Sequence, residues 1–467
     1  MDDVIYNAPA GRPIQFGLGS GPSPEFPWAN SLVSNRWTQI SSEQKFYDWA
    51  IGPNGINIPG ARGTNPINSI VNAYCDPAID LESGDEYYYG GGHGDGSNNS
   101  ICLNRASDLT WHQVDPGTPS SVYMPLYMNT TNPIFYPGGS QFSVRPHELG
   151  TYFLTVNEGL DPVTDAGYIA PKLSRASTHM YQVGVYRNKG GKKELHYMYN
   201  GYGKYDLNTN QWSGHNINLE EQLAQFKRVN GVWKIPVPPE TGDGATLASS
   251  NKVWGVSAVY DKVTDRVYFL VTGGGYRNHI AQFNCDTGLI ESVHVMTGFT
   301  AQNASFFCIA NRKLYVFGNE GSVPRYNANR GFIFDMDSKA VVRFDTAGDI
   351  APQIATNIGQ ETIPGWYDSN RNRICRMNYS VSISTIYVLN LTPVSGAGTH
   401  ADPFILNQVA KTVTIDGGAF PDSAGPPIMY VYGRMVFIPG ADCVKFIPRS
   451  DSGSHNTGKH WALKLGD

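Results

Sequence analysis

The chain has 467 residues, of which only 16% are charged, and its formal net charge is −5. There is no run of basic residues, so nucleic acid is not an expected partner. No apolar stretch is long enough to span a bilayer, and the acidic start of the chain lacks the apolar segment of a secretory signal peptide. We therefore expect neither nucleic acid nor a membrane as a partner.

Abundant glycine and aromatic residues favour strands and turns over helices. The sequence contains 51 Gly, 27 Tyr and 9 Trp, a composition that suits an all-β protein. The 6 cysteines are scattered without a C-x-x-C motif, so a zinc ribbon or redox pair is not indicated. His93, Asp95 and His179 are of metal-ligand type, but their spacing supports no metal site, and we predict no metal and no cofactor.

The N-terminal residues 1–35 are rich in Pro, Gly, Asn and Ser and show no strand or helix period. This composition predicts an extended arm. We expect the arm to lie along the rest of the chain or to dock on a neighbouring subunit. The next segment, Arg36–Ile40, has the pattern of an outermost strand whose sheet partners lie elsewhere in the chain.

The stretch Tyr87–Asp95 sets the pattern for the rest of the chain. An aromatic strand runs into three glycines, Gly90–Gly92, and His93 follows directly. Successive glycines favour a tight turn and cannot stabilise a strand. The same order of apolar strand, Gly-rich turn and second apolar strand recurs downstream. This recurrence predicts a β-propeller.

The predicted four-stranded blades begin near Ser69, Ser177, Val256, Ser305, Gly365 and Ile428. Two inserts interrupt them, at about 116–175 and 216–248. The first insert is long enough to hold a weak further blade, and the second is partly helical. We predict one all-β propeller domain over 36–467, with six or seven four-stranded blades. The N-terminal strand is expected to complete the last blade beside His460–Leu465, which removes exposed sheet edges.

The turn at Gly90–His93, the short strand after it and Trp111 together resemble Kelch and galactose-oxidase-type propellers. With a blade that opens at Ser177–Tyr181, the chain is similar to a group of bacterial and phage propeller proteins that includes ulvan-type polysaccharide lyases. For the lyases, this resemblance implies a histidine and a tyrosine as base and acid, and an arginine that neutralises a uronate carboxylate. His93 is the residue that matches a recognisable motif.

In a four-stranded blade, the connections between the second and third strands and those between blades open on the same face. Aromatic rings at such positions can stack on sugars, and arginine can bind a carboxylate or sulfate. An imidazole can abstract a proton next to a uronate carboxylate. The predicted catalytic residues are His93, His179 and Tyr181. The predicted substrate-binding residues are Arg277, His279, Arg325, Tyr326, Tyr202, Trp366 and His147.

These patterns predict a glycan-binding propeller that recognises an anionic surface polysaccharide, as a virion or cell-surface attachment protein. Its location would be extracellular or on a virion. The alternative is a lyase or depolymerase of uronate-containing polysaccharide, and a third interpretation is a protein-binding propeller of Kelch type. His93 and His179 also fit structural roles, and Trp111, Trp212 and Trp461 are expected in the core between blades.

Overall fold

The computed structural model of the protein describes the following residues: 25–40, 77–89, 100–115, 184–198, 202–213, 219–237, 240–242, 257–273, 276–296, 307–317, 329–350, 365–377, 384–416, 435–447 and 460–467. Nearly all regular structure in these stretches is β-strand, so the all-β prediction is confirmed. The helices among them are α1 (Leu219–Ala224) and two short 3-10 helices, Pro27–Ser31 and Pro439–Ala441.

The strands of the first half of the chain are β1 (Arg36–Gln39), β2 (Ala78–Ile79), β3 (Glu86–Tyr89), β4 (Ile101–Asn104), β5 (Trp111–Asp115), β6 (Gly184–Lys189), β7 (Lys192–Tyr197), β8 (Gly203–Asp206), β9 (Gln211–Ser213), β10 (Lys227–Val229), β11 (Val232–Lys234), β12 (Ala258–Asp261) and β13 (Arg266–Gly273). Those of the second half are β14 (Tyr276–Asn284), β15 (Leu289–Val295), β16 (Phe307–Ala310), β17 (Lys313–Phe317), β18 (Arg330–Asp335), β19 (Val341–Gly348), β20 (Gly365–Asp368), β21 (Arg373–Met377), β22 (Thr385–Ser395), β23 (Phe404–Thr412), β24 (Thr414–Ile415), β25 (Met435–Ile438), β26 (Cys443–Phe446) and β27 (Trp461–Lys464).

Within the described stretches, these strands form a series of four-stranded antiparallel units. The first to fifth units are β2–β5, β6–β9, β12–β15, β16–β19 and β20–β23, and the sixth contains β25, β26, β27 and β1. The hairpin β10–β11 adds to the third unit, and β24 adds to the sixth. Parallel pairing of β19 with β23 joins the fourth and fifth units into one sheet. Four-stranded antiparallel sheets in this succession fit a β-propeller.

Strand β1 lies in the same sheet as the last strand of the chain. It pairs antiparallel with β27, and Trp37 stands opposite Leu463. Trp37 is fully buried, because an indole on this strand faces the inner side of the sixth unit. The N-terminal strand therefore shares a sheet with the C-terminal strand, as the isolated pattern at Arg36–Ile40 predicts.

The described part of the predicted arm, residues 25–35, is not simply extended. It contains the 3-10 helix Pro27–Ser31. Phe26 is buried in a cluster with Ile438 and Ala441, and the Trp28 indole Nε1 donates a hydrogen bond to the Ala106 carbonyl oxygen at 2.8 Å. The buried ring of Phe26 and the half-buried indole of Trp28 hold the segment against the sixth and first units.

One strand assignment from the sequence differs from the structure. The second unit opens with β6, Gly184–Lys189, a strand that the sequence analysis missed because its polar second half breaks the apolar pattern. The predicted opening strands Ser69–Tyr74 and Ser177–Tyr181 lie outside the described residues. The predicted sixth blade begins near Ile428, outside the described residues, and the first described strands of the sixth unit are β25 and β26, joined by the turn at Pro439–Ala441.

Aromatic side chains fill the contact between neighbouring units. Tyr87 of the first unit stacks on Tyr186 of the second, with ring centroids 5.6 Å apart. Tyr89 packs on Trp212 of the second unit at 5.0 Å. Trp111, Trp212 and Trp461 are all 2% exposed, so their predicted place in the core is confirmed.

The turns at one end of the units are linked to each other. We call this end the turn face, and it holds the turns between first and second strands and between third and fourth strands. Lys262 of the third unit lies 3.2 Å from Glu82 of the first, and Asn311 of the fourth donates to Asn372 of the fifth at 2.7 Å. Because strands alternate in direction, the remaining connections belong to the opposite end, the loop face.

Candidate functional site

Six of the ten predicted site residues lie outside the described residues. These are His93, His147, His179, Tyr181, Arg325 and Tyr326. For Arg277 the structure describes the backbone, which belongs to β14. Tyr202, His279 and Trp366 are described with their side chains.

Trp366 is a core residue. It is 4% exposed and lies on β20, in a hydrophobic cluster with Trp37, Cys375 and Met377. Its indole therefore packs against the protein interior between the fifth and sixth units, where the periodic apolar pattern of the first strand places it.

Tyr202 is also buried, at 1% exposed, and it lies directly before β8. Its ring packs on Phe283 of the third unit at 4.8 Å. Its hydroxyl lies 2.6 Å from Nδ1 of His196. The side chain thus fills the seam between the second and third units, the surface along which these two units pack.

His196 joins Tyr202 to a carboxylate deeper in the same seam. Its Nε2 lies 3.2 Å from Oε2 of Glu194, and all three side chains are buried. A proton on Nε2 donated to the carboxylate leaves Nδ1 to accept the hydrogen of the Tyr202 hydroxyl, which fixes the neutral tautomer. Burial lowers the pKa of His196, which favours the neutral imidazole. No spacing in the sequence reveals this series of three hydrogen-bonded side chains.

At the turn-face end of this hydrogen-bonded series, Glu194 contacts a buried arginine. Arg187 is 1% exposed, and its guanidinium donates to both carboxylate oxygens of Asp265 at 2.7 Å. It also contacts Glu194 and Asp286, each at 2.5 Å. Burial alone would raise the pKa of Asp265, but hydrogen bonds from Arg187, Lys189 and Tyr260 outweigh it and hold that pKa below its usual range. This cluster ties the second unit to the third.

His279 forms a pair with Trp233, a residue that the sequence analysis did not select. The two rings meet edge to face with centroids 5.7 Å apart. Nδ1 of His279 and Nε1 of Trp233 are both buried, and neither has a hydrogen-bond partner among the described residues. Burial lowers the pKa of His279 to about 4, so its imidazole is neutral at neutral pH.

A two-residue hairpin positions Trp233 beside His279. Asn230 and Gly231 have φ of 52° and 79°, the conformation that an Asn-Gly turn adopts between paired strands. Strand β11 then pairs with the outer strand of the third unit, Trp233 opposite Val293. The Asn-Gly signal between two valines could have revealed this hairpin within the insert at 216–248.

Strand β14 carries both His279 and Arg277. His279 stands opposite Val271 and Val295, and alternation along a strand puts positions 277 and 279 on the same side of β14. Phe283, which packs on Tyr202, shares that side. The seam between the second and third units therefore carries two predicted site residues, Tyr202 and His279, near the loop face.

The described residues hold no group of three or more His, Cys, Asp or Glu side chains that could bind a metal ion. No helix in the described stretches is long and apolar enough to cross a membrane.

Comparison with known proteins adds little to this geometry. No family model and no curated protein matches the sequence. Among solved structures, the chain is similar to one titled Crystal Structure of Mitotic Checkpoint Complex, with a TM-score of 0.36, 8% identity and coverage of 99% of this chain and 98% of that chain. It is also similar to one titled Structure of U3-55K, with a TM-score of 0.36, 8% identity and coverage of 87% and 97%. Likeness at this level carries no argument about ligand or partner.

Proposed function

We propose that the chain is a closed propeller in which each of the six units is one blade, and that its loop face binds an anionic polysaccharide. Contacts between the sixth and first units support closure. Lys445 lies 2.8 Å from Glu86 and donates to Asn104 at 2.7 Å, with all three side chains buried. A Cβ atom built on Gly84, in the first unit, would come within 2.7 Å of Ile438, so only glycine fits this close approach.

The two faces carry different polar side chains, and this difference supports a ligand site at the loop face. The turn face is held by pairs such as Arg187–Asp265, Arg312–Asp261 and Arg371–Asp442. Positions 277 and 279 lie instead at the loop end of β14, next to the hairpin that carries Trp233. This is the observation that carries the proposal, because arginine, histidine and aromatic groups there are the types that bind acidic sugars.

The described start of the chain supports an attachment role. Phe26 contacts the turn at Gly440 and Trp28 bonds to the turn at Ala106, so this segment lies at the turn face. A neighbouring subunit that binds residues 1–24 would then lie on the turn-face side of the molecule. The loop face would then stay open to a glycan, as an attachment protein on a virion or cell surface requires.

The test measures binding of alginate, hyaluronan, chondroitin sulfate, polygalacturonate and neutral dextran to the full chain. We expect at least one acidic polymer to bind and dextran to bind weakly. Arg277→Ala and Arg325→Ala should each lower affinity about tenfold, the effect of one lost charge-assisted contact. Arg105→Ala removes an exposed arginine of the turn face and should change nothing. Equal affinity in all variants would overturn the proposal.

The same incubations separate binding from cleavage. A lyase would release unsaturated uronates, which absorb in the ultraviolet, and His93→Ala would abolish their formation. Binding without such products supports an attachment protein alone.

A further inference from the structure

We infer that Trp233 and His279 form a subsite for an uncharged sugar ring, beside the position where Arg277 would bind an acidic group. This inference rests on the proposed function and specifies the neighbouring residue of the same polysaccharide. The ligand class is a pyranose with adjacent hydroxyl groups.

The ring nitrogens of the pair are the first argument. An indole N–H is only a donor, whereas a neutral imidazole nitrogen can donate or accept. Buried polar groups in proteins nearly always have a hydrogen-bond partner, and these two have none among the described residues. A pair of adjacent sugar hydroxyls presents an acceptor for the indole and either role for the imidazole.

The absence of charge at the pair is the second argument. His279 is neutral, and burial is the cause of its low pKa. Neutral donors hold an anion less strongly than an arginine does, and position 277, two residues along β14, supplies an arginine for the acidic group. Transfer of an uncharged hydroxyl group from water to this partly buried site costs less free energy than transfer of a charged group.

The position of the indole is the third argument. Trp233 is half-buried on an added hairpin, while the core tryptophans are 4% exposed or less. An indole that keeps part of its surface in solvent offers an apolar platform for the C–H face of a pyranose. The adjacent Val232 is 61% exposed and points to the other side of β11, so it provides a matched control.

The experiment compares Trp233→Phe, His279→Phe and Val232→Ala in the polysaccharide panel above. Trp233→Phe keeps an aromatic ring and removes the N–H. We expect each substitution in the pair to lower affinity about fivefold to tenfold, the effect of one lost hydrogen bond. Val232→Ala should bind like the unchanged chain. Polymers that alternate uronate with an uncharged sugar, such as hyaluronan, should lose more than polygalacturonate, which contains uronate alone.

Four outcomes decide the inference. Lower affinity in Trp233→Phe and His279→Phe but not in Val232→Ala, at unchanged melting temperature, supports it. Unchanged affinity in Trp233→Phe and His279→Phe, with Arg277→Ala still impaired, overturns the subsite and leaves the proposed function standing. Failure of the unchanged chain to bind any acidic polymer overturns both, and a lowered melting temperature without loss of affinity assigns the pair to packing.

Discussion

The two faces of the molecule use polar side chains differently. At the turn face, arginines reach from one unit to carboxylates of the next, as in Arg187–Asp265 and Arg371–Asp442. Near the loop face, Tyr202, Trp233 and His279 contribute neutral polar groups to the seam, and Nε1 of Trp233 and Nδ1 of His279 have no hydrogen-bond partner among the described residues. We propose that these ion pairs hold the units together at the turn face and that the loop face binds the ligand. Substitutions at the two faces should accordingly separate stability from binding.

The largest effect on stability is expected at Arg187. Its replacement by Ala leaves the buried Glu194 and the nearly buried Asp265 without their main cation. Loss of one partner from such a cluster costs about 3–5 kcal/mol of unfolding free energy, which urea denaturation would measure. Polysaccharide affinity of the folded fraction should stay unchanged. Arg105→Ala, with an exposed partner, should cost less than about 1 kcal/mol, and an equal loss in both variants would contradict the account.

The buried contact between the sixth and first units should be the next most sensitive. Lys445→Met leaves Glu86 as a buried carboxylate, and we expect a loss of about 3 kcal/mol. The double variant Lys445→Met with Glu86→Leu removes both charges and should recover most of that loss. If the double variant is as unstable as the single one, the pair acts through shape rather than charge.

As the pH falls, the ion pairs of the turn face should lose their stabilising free energy before the aromatic contacts between units do. The folded-state pKa values of Glu194 and Asp265 lie below their ordinary range, so the unfolded chain takes up protons first as pH falls. Their stabilisation is present above the ordinary carboxyl pKa of about 4 and is lost progressively between about pH 5 and lower values. Melting temperatures measured across this range should fall for the unchanged chain, and Arg187→Met should show a flatter profile. A parallel decline in both would contradict the assignment.

The smallest effect on stability is expected in the hydrogen-bonded series of Tyr202, His196 and Glu194. Tyr202→Phe removes the hydroxyl that bonds to His196, at a cost of about 1 kcal/mol. Tyr367→Phe removes an exposed hydroxyl of the turn face and should cost less. Urea midpoints of the two variants give the comparison, and a reversed order would show that the Tyr202–His196 bond contributes little.

The strands were predictable where apolar residues repeat, and less so where polar residues serve buried pairs. The strand at Tyr87–Tyr89, the core tryptophans and the strand at Trp37 follow from burial patterns. Strand β6 was missed because Arg187 and its polar neighbours look solvent-exposed in sequence, although Arg187 is buried by carboxylates distant in the chain. Such pairing depends on tertiary contact, which single-sequence periodicity cannot register.

The candidate site was predictable only in part for the same reason. His279 was selected from its Gly-rich turn, whereas Trp233 enters from a separate hairpin. Its position depends on the pairing of β11 with β15, which no local spacing encodes. Tyr202 was selected from a connection between strands and Trp366 from the entry to a blade. The structure buries both, Tyr202 directly before β8 and Trp366 on β20, because both pack against a neighbouring unit.

The most direct measurement compares polysaccharide affinity with unfolding free energy for Arg277→Ala and Arg187→Ala in the same preparation. The account predicts that Arg277→Ala loses affinity at unchanged stability, while Arg187→Ala loses stability at unchanged affinity in its folded fraction. Equal loss of affinity in both, or retention of full affinity in Arg277→Ala, would contradict a ligand site at the loop face.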